Sequence, residues 1–265
     1  MTCLRSTRAA ALLAVAAAAL VSFHRPAWGQ AAAAGAVAPL TDAAPIYLNE
    51  PPSVPDPTVV TSGKVADKYE DGQVRIEREV TKMSDDSLVN HGEFTELYPN
   101  GKKFAQGRYD HGVHDGSWSF WFDNGQLCKT VTFNKGRPDG AWDVFREDGT
   151  LLAKKAYKDN KRDGQWVTYH PDGKTPKVEE QFDNGERNGE SRAYFANGKP
   201  MRTLTFKAGQ LEGPMTEWDE TGRKIGELSF KAGMRHGVYV MYKADGTKQE
   251  LRYDNGRLLT NPSGD

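Results

Sequence analysis

Cysteine is nearly missing from this chain: Cys3 and Cys128 are the only two in 265 residues. That scarcity excludes a disulfide framework and a cysteine-rich zinc site. Hydrophobic residues reach only 37%, too few for the thick core of an ordinary globular enzyme. An excess of one charge is missing as well. The net charge is −1 and basic residues are interleaved with acids, so no run suits a nucleic-acid backbone or an anionic lipid surface. No Gly-x-Ser-x-Gly elbow, Walker loop or His-Glu-x-x-His pair occurs. What is plentiful is glycine, with 27 residues, beside 10% aromatics. Such a composition argues against plain disorder and for a thin, turn-rich β protein.

The N-terminal stretch 1–29 has the form of a secretory signal. Arg5 and Arg8 precede an apolar run from Ala9 to Val21, which at 13 residues is short for a bilayer span. Ala27 and Gly29 put small residues before a cut at Gln30, and a later cut within Ala31–Ala34 is an alternative, as is an uncleaved anchor. Cleavage would leave Cys128 as the one cysteine and place the chain in the periplasm or outside the cell. An Ala/Pro-rich linker is expected over 30–64, with six prolines and no periodic apolar face. The last residues, 259–265, are expected to be a disordered tail.

Between them, over 65–258, the chain repeats itself. Gly92, Gly116, Gly140, Gly164, Gly189, Gly213 and Gly237 recur every 24 residues, with one interval of 25. Nine residues after each stands another glycine, from Gly101 to Gly246. A third slot holds Gly112, Gly136, Asn160, Gly185, Gly209, Gly233 and Gly256. With Gly72 of a partial leading unit, 21 of the 27 glycines fall in these slots, so they read as turn glycines rather than a phosphate cradle. Asn-Gly or Asp-Gly at the second slot is the sequence signal of a two-residue primed hairpin turn. The third slot reads as a looser turn. The expected fold is therefore all-β: a single-layer antiparallel sheet solenoid of about seven and a half 24-residue hairpin repeats. About fifteen strands at ~4.8 Å spacing would make it on the order of 70 Å long. A longer loop is expected at 81–90, and charged terminal strands at 73–80 and 248–253.

Counting from the first glycine of a unit places the aromatic residues. Position +2 holds Phe94, Trp118, Trp142 and Trp166; position +5 holds Trp121, Phe145, Tyr169, Tyr194, Trp218 and Tyr242. Opposite parity sends the two rows to opposite faces. Trp121 is expected to stack near Leu97 and Phe145 and to face Cys128 across its hairpin. The candidate binding surface is Trp118, Trp121, Trp142, Trp166, Tyr169, Tyr194, Trp218 and Tyr242, although neighbouring repeats can also consume these rings in packing.

Units such as Gly116–Gly125 (GSWSFWFDNG) and Asp139–Gly149 (DGAWDVFREDG) resemble the MORN repeat, in its bacterial antitoxin-like variant, over roughly 68–257. The resemblance implies a twisted single-layer sheet used for protein or lipid contact. An antitoxin acting in the cytoplasm would conflict with the export signal.

Candidate chemistry is sparse. Asp110-His111-Gly-Val-His114-Asp115 offers two imidazoles and two carboxylates for zinc, but in one loop with no distant ligand. His91 and His236 read as turn residues, His170 as a solitary strand residue, and Cys128 as a small packing side chain. The expected function is a non-enzymatic exported scaffold with a protein partner and no cofactor, metal or nucleic acid. Glycan or envelope-lipid binding by aromatic platforms is the alternative, and a metal-dependent enzyme the remaining one.

Overall fold

The computed structural model describes residues 59–259. The stretch read as a signal, most of the stretch read as a linker and the residues from 260 onward lie outside the described residues. Within them every regular element is a strand. In chain order these are β1 (Val59–Lys68), β2 (Val74–Met83), β3 (Leu88–Leu97), β4 (Lys103–Asp110), β5 (Val113–Trp121), β6 (Leu127–Asn134), β7 (Arg137–Phe145) and β8 (Leu151–Lys158). Next come β9 (Lys161–Arg162), β10 (Gly164–Tyr169), β11 (Pro176–Asp183), β12 (Glu186–Arg187), β13 (Gly189–Tyr194) and β14 (Pro200–Lys207). The last are β15 (Gln210–Leu211), β16 (Gly213–Trp218), β17 (Lys224–Lys231), β18 (Met234–Tyr242), β19 (Lys248–Asp254) and β20 (Arg257–Leu259). They form an antiparallel meander in one open, 20-stranded sheet. The two-residue strands β9, β12 and β15 are the first halves of strands interrupted just before Gly164, Gly189 and Gly213. Each shares its partner strand with the half that follows it, as β9 and β10 share β8.

The 21 glycines of the repeat slots are the 21 glycines with positive φ among the described residues. Their roles differ from the sequence expectation in two ways. The first-slot glycines lie within strands, not in turns. Gly140, at φ +113°, sits in a bulge of β7 where the pairing with β6 shifts between Val131 and Phe133, and a Cβ there would come 3.1 Å from Thr132. The primed turns are also at the other end of the hairpin. Lys135 and Gly136 both have positive φ (48° and 77°) between the paired Asn134 and Arg137, which is the two-residue primed geometry.

The Asn-Gly loops are three residues long instead. At Asp123-Asn124-Gly125, the Gly125 N–H donates to Phe122 O at 2.9 Å and the Phe122 N–H to Gln126 O at 2.9 Å, and of the loop residues only Gly125 has positive φ. This is a type I turn closed by a left-handed glycine bulge. Asparagine is favoured for its side chain. Asn124 Oδ1 accepts from the Gln126 N–H at 2.8 Å, and Asn124 Nδ2 donates to Glu147 O of the next loop at 3.0 Å. Asn100 and Asn197 make the same reach, to Asp123 O and Glu220 O. At the primed end the Gly136 N–H donates back to His114 O at 2.8 Å. Turns at both ends of the hairpins are thus tied to neighbouring units.

The segment expected as a loop over 81–90 is an extension of two ten-residue strands, β2 and β3, joined by a tight turn at 84–87. Thr81 and Met83 within it and Val80 just before it are buried, which explains why the chain stays paired there. β1 begins at Val59, inside the stretch read as linker, and covers the outer side of β2. The expected N-terminal edge strand is therefore internal. At the other end β20 pairs outside β19.

Candidate functional site

The pairing separates the two faces. On one, Trp118, Val131, Trp142 and Lys155 stand opposite one another on successive strands β5 to β8. Trp118, Trp142 and Trp166 are only 1%, 6% and 8% exposed. They are covered by rings seventeen or, for Phe182, eighteen positions after the first glycine. Tyr109 packs 5.0 Å from Trp118, Tyr157 4.7 Å from Trp142 and 5.2 Å from Trp166, and Phe182 5.0 Å from Trp166. Bulged backbone supplies acceptors for two of the three indoles: Trp118 Nε1 donates to Arg108 O at 3.0 Å and Trp166 Nε1 to Ala156 O at 2.8 Å. Gly107 leaves room for Trp118, since a Cβ there would lie 2.2 Å from the indole. Single-layer sheet or not, this face builds its own core, and three of the eight candidate surface residues are spent in it.

The other five candidates, Trp121, Tyr169, Tyr194, Trp218 and Tyr242, lie half-buried on the opposite face, at strand ends beside the three-residue loops or, for Tyr169, a four-residue one. The parity argument holds. The register does not: Trp121 pairs with Leu127 rather than Cys128, because the left-handed loop glycine shifts the ladder between Phe120 and Trp121. Along this face the rings alternate with charge. Tyr194 Oη donates to Glu179 at 2.9 Å, Tyr242 Oη donates to Glu227, and Lys103 and Lys248 hold their ammonium groups 5.5 and 5.2 Å from the Trp121 and Tyr242 rings. Beside the rings runs a polar row, Thr95, Gln106, Ser119, Thr130, Asp143 and Lys154. Nothing in this arrangement pairs a nucleophile with a base.

The four-residue zinc set read from one loop is divided by the structure. His114 lies on the core face, stacked on Phe133 at 5.0 Å and edge-on to Trp118 at 4.3 Å. Burial pushes its imidazole down to about 4, so it is neutral at physiological pH. Its place is the one that Arg162 and Arg187 take in later units, over Phe182 and Phe206. His111 remains at the primed-turn end, where Asp110 and the distant His91 join it. His170 is not within a strand: it follows β10, and its Nε2 lies 2.9 Å from Tyr194 O in the next unit. Tyr98 and Arg146 make the same link, to Trp121 O and Tyr169 O. Cys128 is buried, as a packing role requires.

The MORN repeat variant family matches residues 90–111, 115–135 and 187–208. These stretches fall on the units that begin at Gly92, Gly116 and Gly189. Repeats of this type generally contact proteins or membranes, and they are not a catalytic type. No curated protein matches the chain.

Proposed function

We propose that the chain is an exported, non-enzymatic scaffold that binds a protein partner along the face carrying Trp121, Tyr169, Tyr194, Trp218 and Tyr242. The supporting observation is the division of aromatic residues between faces. Trp118, Trp142 and Trp166 are consumed in packing, while these five rings stay half-exposed on the other face. Half-exposed tyrosine and tryptophan, framed by residues of both charges, are the side chains that anchor protein interfaces. A glycan platform is less well supported, because Lys103 and Lys248 already lie over ring faces that a sugar would need. An anionic lipid surface would meet the carboxylates of Glu179 and Glu227 beside the rings.

Photo-crosslinking in intact cells tests this reading. A photoreactive phenylalanine replaces Tyr169, Tyr194 or Trp218 in turn, and Leu204, which pairs with Ser191 on the core face, serves as the control. Discrete protein adducts from the first three positions and none from Leu204 are expected; adducts from neither face would contradict the proposal. Export belongs to the same proposal and rests on Arg5, Arg8 and the run Ala9–Val21. N-terminal sequencing of envelope-derived protein should begin near Gln30, and an intact Met1 on soluble protein would refute it. Such processing removes Cys3, the only other cysteine in the sequence. The processed chain should then titrate one thiol in denaturant.

A further inference from the structure

We propose that His91, Asp110 and His111 form a zinc-binding site at the primed-turn end of the first full repeat. His91 comes from β3, Asp110 closes β4, and His111 opens the turn into β5. Their donor atoms all lie within 4.8 Å of one another. Asp110 Oδ1 is 2.7 Å from His111 Nδ1 and 3.3 Å from His91 Nδ1, and the two rings are 4.6 Å apart. Ligands of a tetrahedral zinc at ~2.0–2.2 Å stand roughly 3.3 Å from each other. Small side-chain rotations therefore bring the three donors to that spacing. Two imidazoles with one carboxylate suit zinc rather than magnesium or calcium, which prefer oxygen alone. All three side chains reach solvent, which leaves a coordination position for water.

The repeats provide an internal comparison. In later units the slot of His91 holds a side chain that accepts a backbone N–H from the adjacent primed turn. Asp163 accepts from Asn184 at 3.3 Å and Glu212 from Ala232 at 2.7 Å. His91 Nδ1 takes that bond from the His111 N–H at 3.3 Å. A carboxylate suffices for the turn, so two histidines here exceed what folding requires. The last unit holds half of the arrangement: His236 and Asp254 approach to 3.5 Å, but Asn255 occupies the place of His111.

The test uses the tag-free full chain, stripped with chelator and titrated with zinc chloride by calorimetry. One zinc per chain is expected. His91→Asn and His111→Asn should each weaken binding about tenfold or more, a scale that even outer-shell partners of a metal reach. His236→Asn and His114→Phe should leave it unchanged. Asparagine occupies the equivalent positions as Asn188 and Asn255, so both ligand variants should keep the fold, which circular dichroism checks. Absence of saturable binding overturns the proposal. So does binding that survives both ligand variants, or binding that His236→Asn or His114→Phe abolishes. The outcome is independent of whether the aromatic face binds a protein.

Discussion

At the scale of single residues, two tryptophans three positions apart have different jobs. Trp118 is 1% exposed and Trp121 is half-exposed on the opposite face. Trp118→Ala should cost roughly 3–5 kcal/mol, as for a buried large aromatic side chain. Trp121→Ala should cost about 1–2 kcal/mol, because less area leaves water on folding. Urea unfolding of both variants decides, and equal losses would contradict the assignment of faces. His114 gives a second residue-scale prediction. Its pKa falls from 6.5 to about 4 on folding because of burial. The unfolded chain therefore binds the extra proton first, and stability is lost as pH falls from 6.5 towards about 4. Asp172 and Asp219, held near 2 by the Thr175 and Thr221 hydroxyls first, lose their contributions at lower pH. His114→Phe should thus flatten the unfolding midpoint as pH falls from 6.5 towards about 4, and an unchanged slope would refute the burial assignment. Parity made the two tryptophan rows legible in the sequence. Which row is covered was not legible, because alternation says that faces differ and not which one its neighbours close over.

At the scale of the element, the hairpin was legible and its turn chemistry was not. Asn-Gly fits a primed turn and also the type I loop with a glycine bulge, and the two differ in the φ of the asparagine. The structure chooses the second, because Asn124 at negative φ can bond both Gln126 and Glu147. Three of the true primed turns carry Lys135, Ala208 or Ala232 at positive φ, which no sequence rule for turns favours, whereas others carry the favoured Asn184 and Asn255. Ala232, at φ +48°, should therefore be improved by glycine. Ala232→Gly removes a left-handed penalty of about 1–2 kcal/mol and adds unfolded-state entropy of ~0.5–1 kcal/mol. A small net stabilisation is expected in chemical denaturation. A clear loss would show that Ala232 is not left-handed. The zinc trio was illegible at this scale too, since His91 and His111 are twenty residues apart and meet only through the register of β3 and β4.

At the scale of the whole sheet, each strand contacts its sequence neighbours, and the array has one face that packs its rings and one whose five rings stay half-exposed. Glycine spacing revealed the repeat and its length. The ends were harder to read, because β1 shows no glycine signature beyond its hairpin at Gly72 and hides charged β2 from the edge. Residue-resolved hydroxyl-radical footprinting of the tryptophans, on the purified chain and on the chain in its native envelope, tests the division of faces most directly. Trp118, Trp142 and Trp166 should oxidise slowly in both samples. Trp121 and Trp218 should oxidise fast when purified and slow down in the envelope. Rates for Trp118 matching those for Trp121 in the purified chain, or no slowing of Trp121 and Trp218 in the envelope, would contradict the account.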